Sequence, residues 1–74
     1  MPIVHIDLMT GRSEEAIAAM MREVSQAVSQ SLDAPIETVR VIVNQMQPTE
    51  YAVGGKPWPE VVAERQATDR NDHA

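Results

Sequence analysis

The chain has 74 residues, a net charge of −5, no cysteine, and two histidines at opposite ends. A domain of this length buries only roughly 60% of its unfolded surface when it folds alone. With neither a disulfide nor a Cys/His zinc cluster to staple it, self-association is the remaining way to complete a core. Six Lys and Arg residues in an acidic chain give no basic face to track phosphates, so a nucleic-acid partner is not expected. No stretch has the length of a membrane span and no basic, then apolar, leader opens the chain. The expectation is a cytoplasmic protein with no membrane partner.

Residues 2–9 alternate, with Pro2, Val4, Ile6 and Leu8 on one face and Ile3 and Met9 apolar on the other, as for a strand covered on both sides. Thr10-Gly11 breaks it, and Ser13 then reads as a helix N-cap with Glu14 and Glu15 in the dipole-favoured first turn. Ile17, Met20, Met21, Val24, Ala27, Val28 and Leu32 follow at steps of three and four, which predicts an amphipathic helix about 30 Å long. Its opposite face carries Arg22, Ser25, Gln26, Ser29 and Gln30. Pro35 ends this helix, since the residue before proline avoids the α region.

Thr38 to Met46 is β-branched and nearly continuously apolar around Arg40, which predicts a second strand buried on both faces and parallel to the first. Beyond Pro48, the segment Glu50 to Gly55 predicts a short hairpin with a diglycine turn. A short helix over 60–66 follows, with Pro59 at its start. The expected architecture is therefore α+β, a β-α-β unit with a C-terminal hairpin, in one domain over 1–66. A polar tail prone to fraying is expected at 67–74.

Three positions carry candidate chemistry. Pro2 opens the first strand, so removal of Met1 would leave a secondary amine there. An α-amino group ionises near 7.7–8, closer to neutrality than a lysine or a carboxylate, and is suited to proton transfer. Arg12 follows the first strand and Arg40 lies within the second. A guanidinium about 6 Å from such an amine, at an effective dielectric near 20, disfavours its protonated form by roughly 3 kcal/mol, about two pKa units. Structurally bland roles exist for each: Arg40 as an interface ion pair, Arg12 as a solvent-facing loop residue, and Pro2 as a harmless strand opener.

Met-Pro-Ile at the start, Gly11-Arg12-Ser13, Arg22-Glu23-Val24-Ser25, Ser31-Leu32-Asp33-Ala34-Pro35, Val39-Arg40-Val41-Ile42 and Gly54-Gly55 together resemble the 4-oxalocrotonate tautomerase family of the tautomerase superfamily. The resemblance implies a tautomerase-type fold, assembly as a homohexamer built as a trimer of dimers, and an isomerase that needs no cofactor or metal. It implies enol-to-keto conversion of small 2-hydroxy-dienoate or 2-oxo acids, 2-hydroxymuconate-like, with Pro2 as general base after Met1 removal. By the same resemblance Arg12 and Arg40 come from different neighbouring subunits and hold carboxylate and carbonyl oxygens. Tyr51 stands where the family commonly has a pocket-lining phenylalanine, and the segment from Lys56-Pro57-Trp58-Pro59 through the last helix does not align with the short family members.

Two alternatives remain open at this level. Within the superfamily, the proline also serves as a cationic acid in hydratase, dehalogenase or decarboxylase chemistry. From another class comes a non-catalytic, oligomer-forming subunit whose arginines pair across interfaces. For Trp58, packing is favoured over covering a pocket. For His5 and Asp7, an interface pair or solvent exposure is favoured over catalysis.

Overall fold

The computed structural model describes the backbone of residues 1–72 and the side chains of residues 1–67. Strand β1 (Ile3–Met9) leads into helix α1 (Glu14–Leu32), a 3-10 turn at Ile36–Thr38, and strand β2 (Arg40–Met46). A second 3-10 turn (Pro48–Glu50) precedes β3 (Ala52–Val53), β4 (Lys56–Pro57) and helix α2 (Trp58–Asp72). β1 and β2 pair in parallel, with Ile3 opposite Arg40 and Met9 opposite Met46. β3 and β4 form an antiparallel hairpin. The expected β-α-β frame with a C-terminal hairpin is the observed fold.

Local chemistry sets the element ends. Ser13 Oγ accepts from the Ala16 N–H at 3.1 Å, satisfying one of the orphan donors of the first turn of α1. At the other end Asp33 adopts the left-handed conformation (φ 52°) and donates its N–H to the Ser29 carbonyl, a helix stop more often built on glycine. β2 begins two residues later than its β-branched run suggests. The Pro35 carbonyl there accepts both the Thr38 N–H at 2.9 Å and the Thr38 hydroxyl at 2.6 Å, so a local turn wins over strand propensity. Gly54 (φ 60°) and Gly55 (φ 82°) supply the two positive φ angles of a two-residue hairpin turn.

The alternation in β1 and β2 sorts their residues onto two faces. Val4, Ile6, Leu8, Val41 and Val43 are half-buried on the face against α1, whereas Ile3, His5, Asp7, Arg40, Ile42 and Asn44 are exposed on the other. Burial on both faces, expected from the apolar runs, is therefore met on one face only within a protomer. Among the described residues Ile17 of α1 is the buried hydrophobic residue, at 8% exposure. Met20, Met21, Val24 and Val28 of the expected stripe are half-buried, but Ala27 and Leu32 are exposed. Ser25 and Ser29, assigned to the polar face, are half-buried instead; their hydroxyls donate to the Met21 carbonyl at 2.7 Å and the Ala34 carbonyl at 2.6 Å.

The protomer is extended, 53 × 25 × 24 Å with a radius of gyration of 17.3 Å, against about 11 Å for a compact chain of this length. Its accessible surface of 5731 Å² exceeds the roughly 4,500 Å² of a folded monomer of this mass. The excess comes from an open sheet face and from a C-terminal arm, in which α2 packs on the 3-10 turn and the hairpin. α2 runs to Asp72, well past the expected 60–66. The last two positions of the expected 67–74 tail lie outside the described residues. Among the described residues no helix is long and apolar enough to cross a membrane.

Two substitutions test this account of α1. Ser13→Ala is expected to cost about 1 kcal/mol, and Ile17→Ala about 2–4 kcal/mol, both by urea unfolding at one fixed protein concentration. Equal, near-zero effects would contradict the assigned cap and core.

Candidate active site

Pro2 is half-buried, and its carbonyl accepts the Arg40 N–H at 2.9 Å. The two residues therefore sit side by side at one end of the parallel sheet. Arg40 opens β2 with its side chain on the uncovered face, where Nη1 donates to the Glu37 carbonyl at 2.8 Å. An arginine inside an apolar run is costly when buried without a partner; here exposure and that carbonyl bond avoid the cost.

Arg12 is exposed in the loop after β1. That loop leaves the sheet through Thr10, whose N–H reaches the Met46 carbonyl at 2.8 Å, and turns at Gly11 (φ 126°). Arg12 thus sits at the sheet end opposite Pro2 and Arg40, on the order of 25 Å away at about 3.3 Å per strand residue. A single protomer brings Pro2 and Arg40 together and leaves Arg12 apart. Tyr51 follows β2 by way of the second 3-10 turn, so the chain reaches it from the Arg12 end. Tyr51 is 40% exposed.

Tyr51 belongs to a cluster that sequence reading did not assemble. Its carbonyl accepts the Trp58 N–H at 2.7 Å, and its ring meets the indole edge-on, centroids 5.5 Å apart at 62°. The Arg65 guanidinium lies 5.1 Å from the indole centroid. Trp58 and Arg65, seven positions apart, fall on one helix side, a spacing that could have flagged the pair. Nearby, Lys56 Nζ donates to Glu64 Oε1 at 2.8 Å. That hydrogen bond, chiefly, raises the Lys56 pKa above its ordinary value of 10.5. Any stabilisation from it is fully present at neutral pH and is lost only as pH climbs through the raised value.

A shallow open groove of about 460 Å³ runs along α1, lined by Ala18, Met21, Arg22, Ser25, Gln26 and Ile36. None of Pro2, Arg12, Arg40 or Tyr51 lines it.

One expectation is overturned. The first residue of the structure is Met1, 78% exposed, and its carbonyl carbon is bonded to the nitrogen of Pro2. That nitrogen is a tertiary amide whose lone pair is delocalised into the carbonyl, so it neither accepts a proton as a base nor carries one as a cationic acid. With Met1 bonded to it, Pro2 is not the amino-terminal proline implied by the resemblance to the 4-oxalocrotonate tautomerase family, and it has no general-base role in this structure.

Comparison with known proteins places the rest. The family described as "Tautomerase enzyme" matches residues 2–59, a span containing Pro2, Arg12, Arg40 and Tyr51. A 2-hydroxymuconate tautomerase of Pseudomonas putida is 49% identical over 57 residues, 77% of this chain and 90% of that protein. Among solved structures, a heterohexameric 4-oxalocrotonate tautomerase from Chloroflexus aurantiacus superposes with a TM-score of 0.77 at 34% identity, covering 82% of this chain and 98% of that one. TomN, a 4-oxalocrotonate tautomerase homologue of the tomaymycin biosynthetic pathway, gives 0.79 at 35% identity, over 84% and 95%. On the extent of these matches and the shared β-α-β frame, the chain belongs to the tautomerase family and is an enzyme of the isomerase class.

Proposed function

We propose that the protein tautomerises a small carboxylate, in a homohexamer built as a trimer of dimers, with Arg12 and Arg40 from different copies converging on one substrate. The observation that carries the reading is the separation of two exposed arginines by the length of a sheet whose second face is open. Among the described residues neither arginine is paired with a carboxylate. Both are available to a substrate anion, and planar guanidinium groups suit bidentate carboxylate binding.

In such a reaction a proton leaves the enol oxygen and one is added at carbon, through an enolate that carries more charge on oxygen than the ground state. A guanidinium placed at that oxygen lowers the barrier, because it is stronger toward the developing anion than toward the neutral enol. Arg40 is assigned this part, Arg12 the carboxylate, and Tyr51 a wall of the pocket. The same open face supports the assembly. Ile3 and Ile42 stand 53% and 43% exposed there, beside His5 and Asp7, and a second copy laid over them completes the core.

The relative from Pseudomonas putida supplies the probe, 2-hydroxymuconate. Arg40→Ala is expected to lower kcat by about 10²–10³-fold, and Arg12→Ala mainly to raise KM. Turnover within twofold of the unaltered protein in both variants overturns the reading. Co-refolding equal amounts of the two variants should restore about a quarter of the sites, since half the copies then supply each arginine intact. No recovery means that both arginines act from one copy. Ile42→Asp should shift the sedimenting species from six copies to fewer and lower the Tm. A wild-type protein sedimenting as a monomer at micromolar concentration rules the assembly out.

A further inference from the structure

Helix α2 continues to Asp72, whereas the family match ends at residue 59. Its opening turns nevertheless hold Tyr51. The Trp58 N–H binds the Tyr51 carbonyl at 2.7 Å, and the indole packs against the phenol edge at a centroid distance of 5.5 Å. From the next turns Arg65 lies 5.1 Å from the same indole, attracted to the negative face of its π system. Glu64, adjacent to Arg65, ties the helix back to Lys56 of the hairpin at 2.8 Å.

Tyr51 is otherwise poorly held. It follows a 3-10 turn and precedes a two-residue strand, and residues 52–57 are all exposed. Trp58 is half-buried and is the aromatic neighbour that restricts the phenol. Edge-to-face contact fixes both the position and the tilt of a ring, which aliphatic contact does not.

We infer that Trp58, backed by Arg65 from beyond the family match, is a positioning residue that holds the Tyr51 ring in one orientation as a wall for the carboxylate substrate, so that helix α2 contributes to substrate affinity. The inference rests on the assignment of Tyr51 to the pocket. A wall already ordered before binding loses no rotamer freedom when substrate arrives. Because it touches no reacting atom, it holds ground state and transition state alike, and its loss appears in KM with kcat unchanged.

The test is steady-state conversion of 2-hydroxymuconate by the unaltered protein and by Trp58→Ala, Trp58→Phe, Arg65→Met and Tyr51→Leu, with Trp58→Ala also made in the Tyr51→Leu background. Trp58→Ala is expected to raise KM about five- to tenfold with kcat within about twofold, and Trp58→Phe to recover most of the loss. Arg65→Met, an exposed change, should raise KM about two- to threefold. With Tyr51 already replaced, Trp58→Ala should add nothing. If Trp58→Ala does not assemble, Trp58→Phe and Arg65→Met carry the test through KM alone. Unchanged KM across the assembled variants, or the same rise from Trp58→Ala with and without Tyr51, overturns the positioning role and leaves the tautomerase reading standing. Absence of turnover in the unaltered protein overturns both.

Discussion

A two-stranded parallel sheet needs cover on both faces, because its strands read as near-continuous apolar runs and its connecting helix can lie on only one side. In this protein α1 covers the face formed by Val4, Ile6, Leu8, Val41 and Val43, and the opposite face stays open. Among the described residues Ile17 alone of the hydrophobic side chains is buried. One buried residue does not balance the conformational entropy lost by ordering a chain of this size, which amounts to about 1–2 kcal/mol per residue for the backbone alone. The accessible surface and radius of gyration say the same in geometric terms: the protomer has the dimensions of a part. Its proposed homohexamer is the physical answer to an unfinished core, and the arm formed by β3, β4 and α2 belongs to the same logic.

The open face also shapes where chemistry can occur. β1 and β2 carry Arg40 at one end, and the loop after β1 carries Arg12 at the other, so the length of the strands separates the two cations within a copy. In the proposed assembly, contacts between copies would both bring them to one carboxylate and cover the open face. Folding, assembly and the proposed substrate binding are in this way one problem. The Arg40 guanidinium is bonded to the Glu37 carbonyl, and among the described residues no carboxylate compensates its charge. That is costly in a buried strand and useful in a pocket for anions.

The withdrawal of Pro2 as base shows how far residue identity alone can reach. A proline at the second position and an arginine next to it in space are both present, as the hydrogen bond between the Pro2 carbonyl and the Arg40 N–H records. Proton transfer, however, depends on whether the nitrogen is an amine or an amide, and the bond to Met1 decides that. The chemistry of a terminus is a matter of covalent state, which no pattern of hydrophobic or charged residues encodes.

Much of the fold was legible in the amino-acid sequence because its signals are local. Ser13 before two glutamates marks the start of α1, Asp33-Ala34-Pro35 its end, and Gly54-Gly55 the hairpin, each through backbone conformations that few residues adopt. Period-two and period-3.6 patterns gave the strands and helix, since burial of one face requires them. What the tertiary structure alone decided is everything that depends on which groups meet across long separations in sequence. It showed that α1 leaves one sheet face bare, that Arg12 and Arg40 lie at opposite sheet ends, and that Ser25 and Ser29 turn inward to backbone carbonyls. It also showed that Trp58 links Tyr51 to Arg65. Apolar runs state that a face will be covered but not by which chain, because the hydrophobic effect is non-directional; the directional contacts that choose the partner exist only once the backbone is in place.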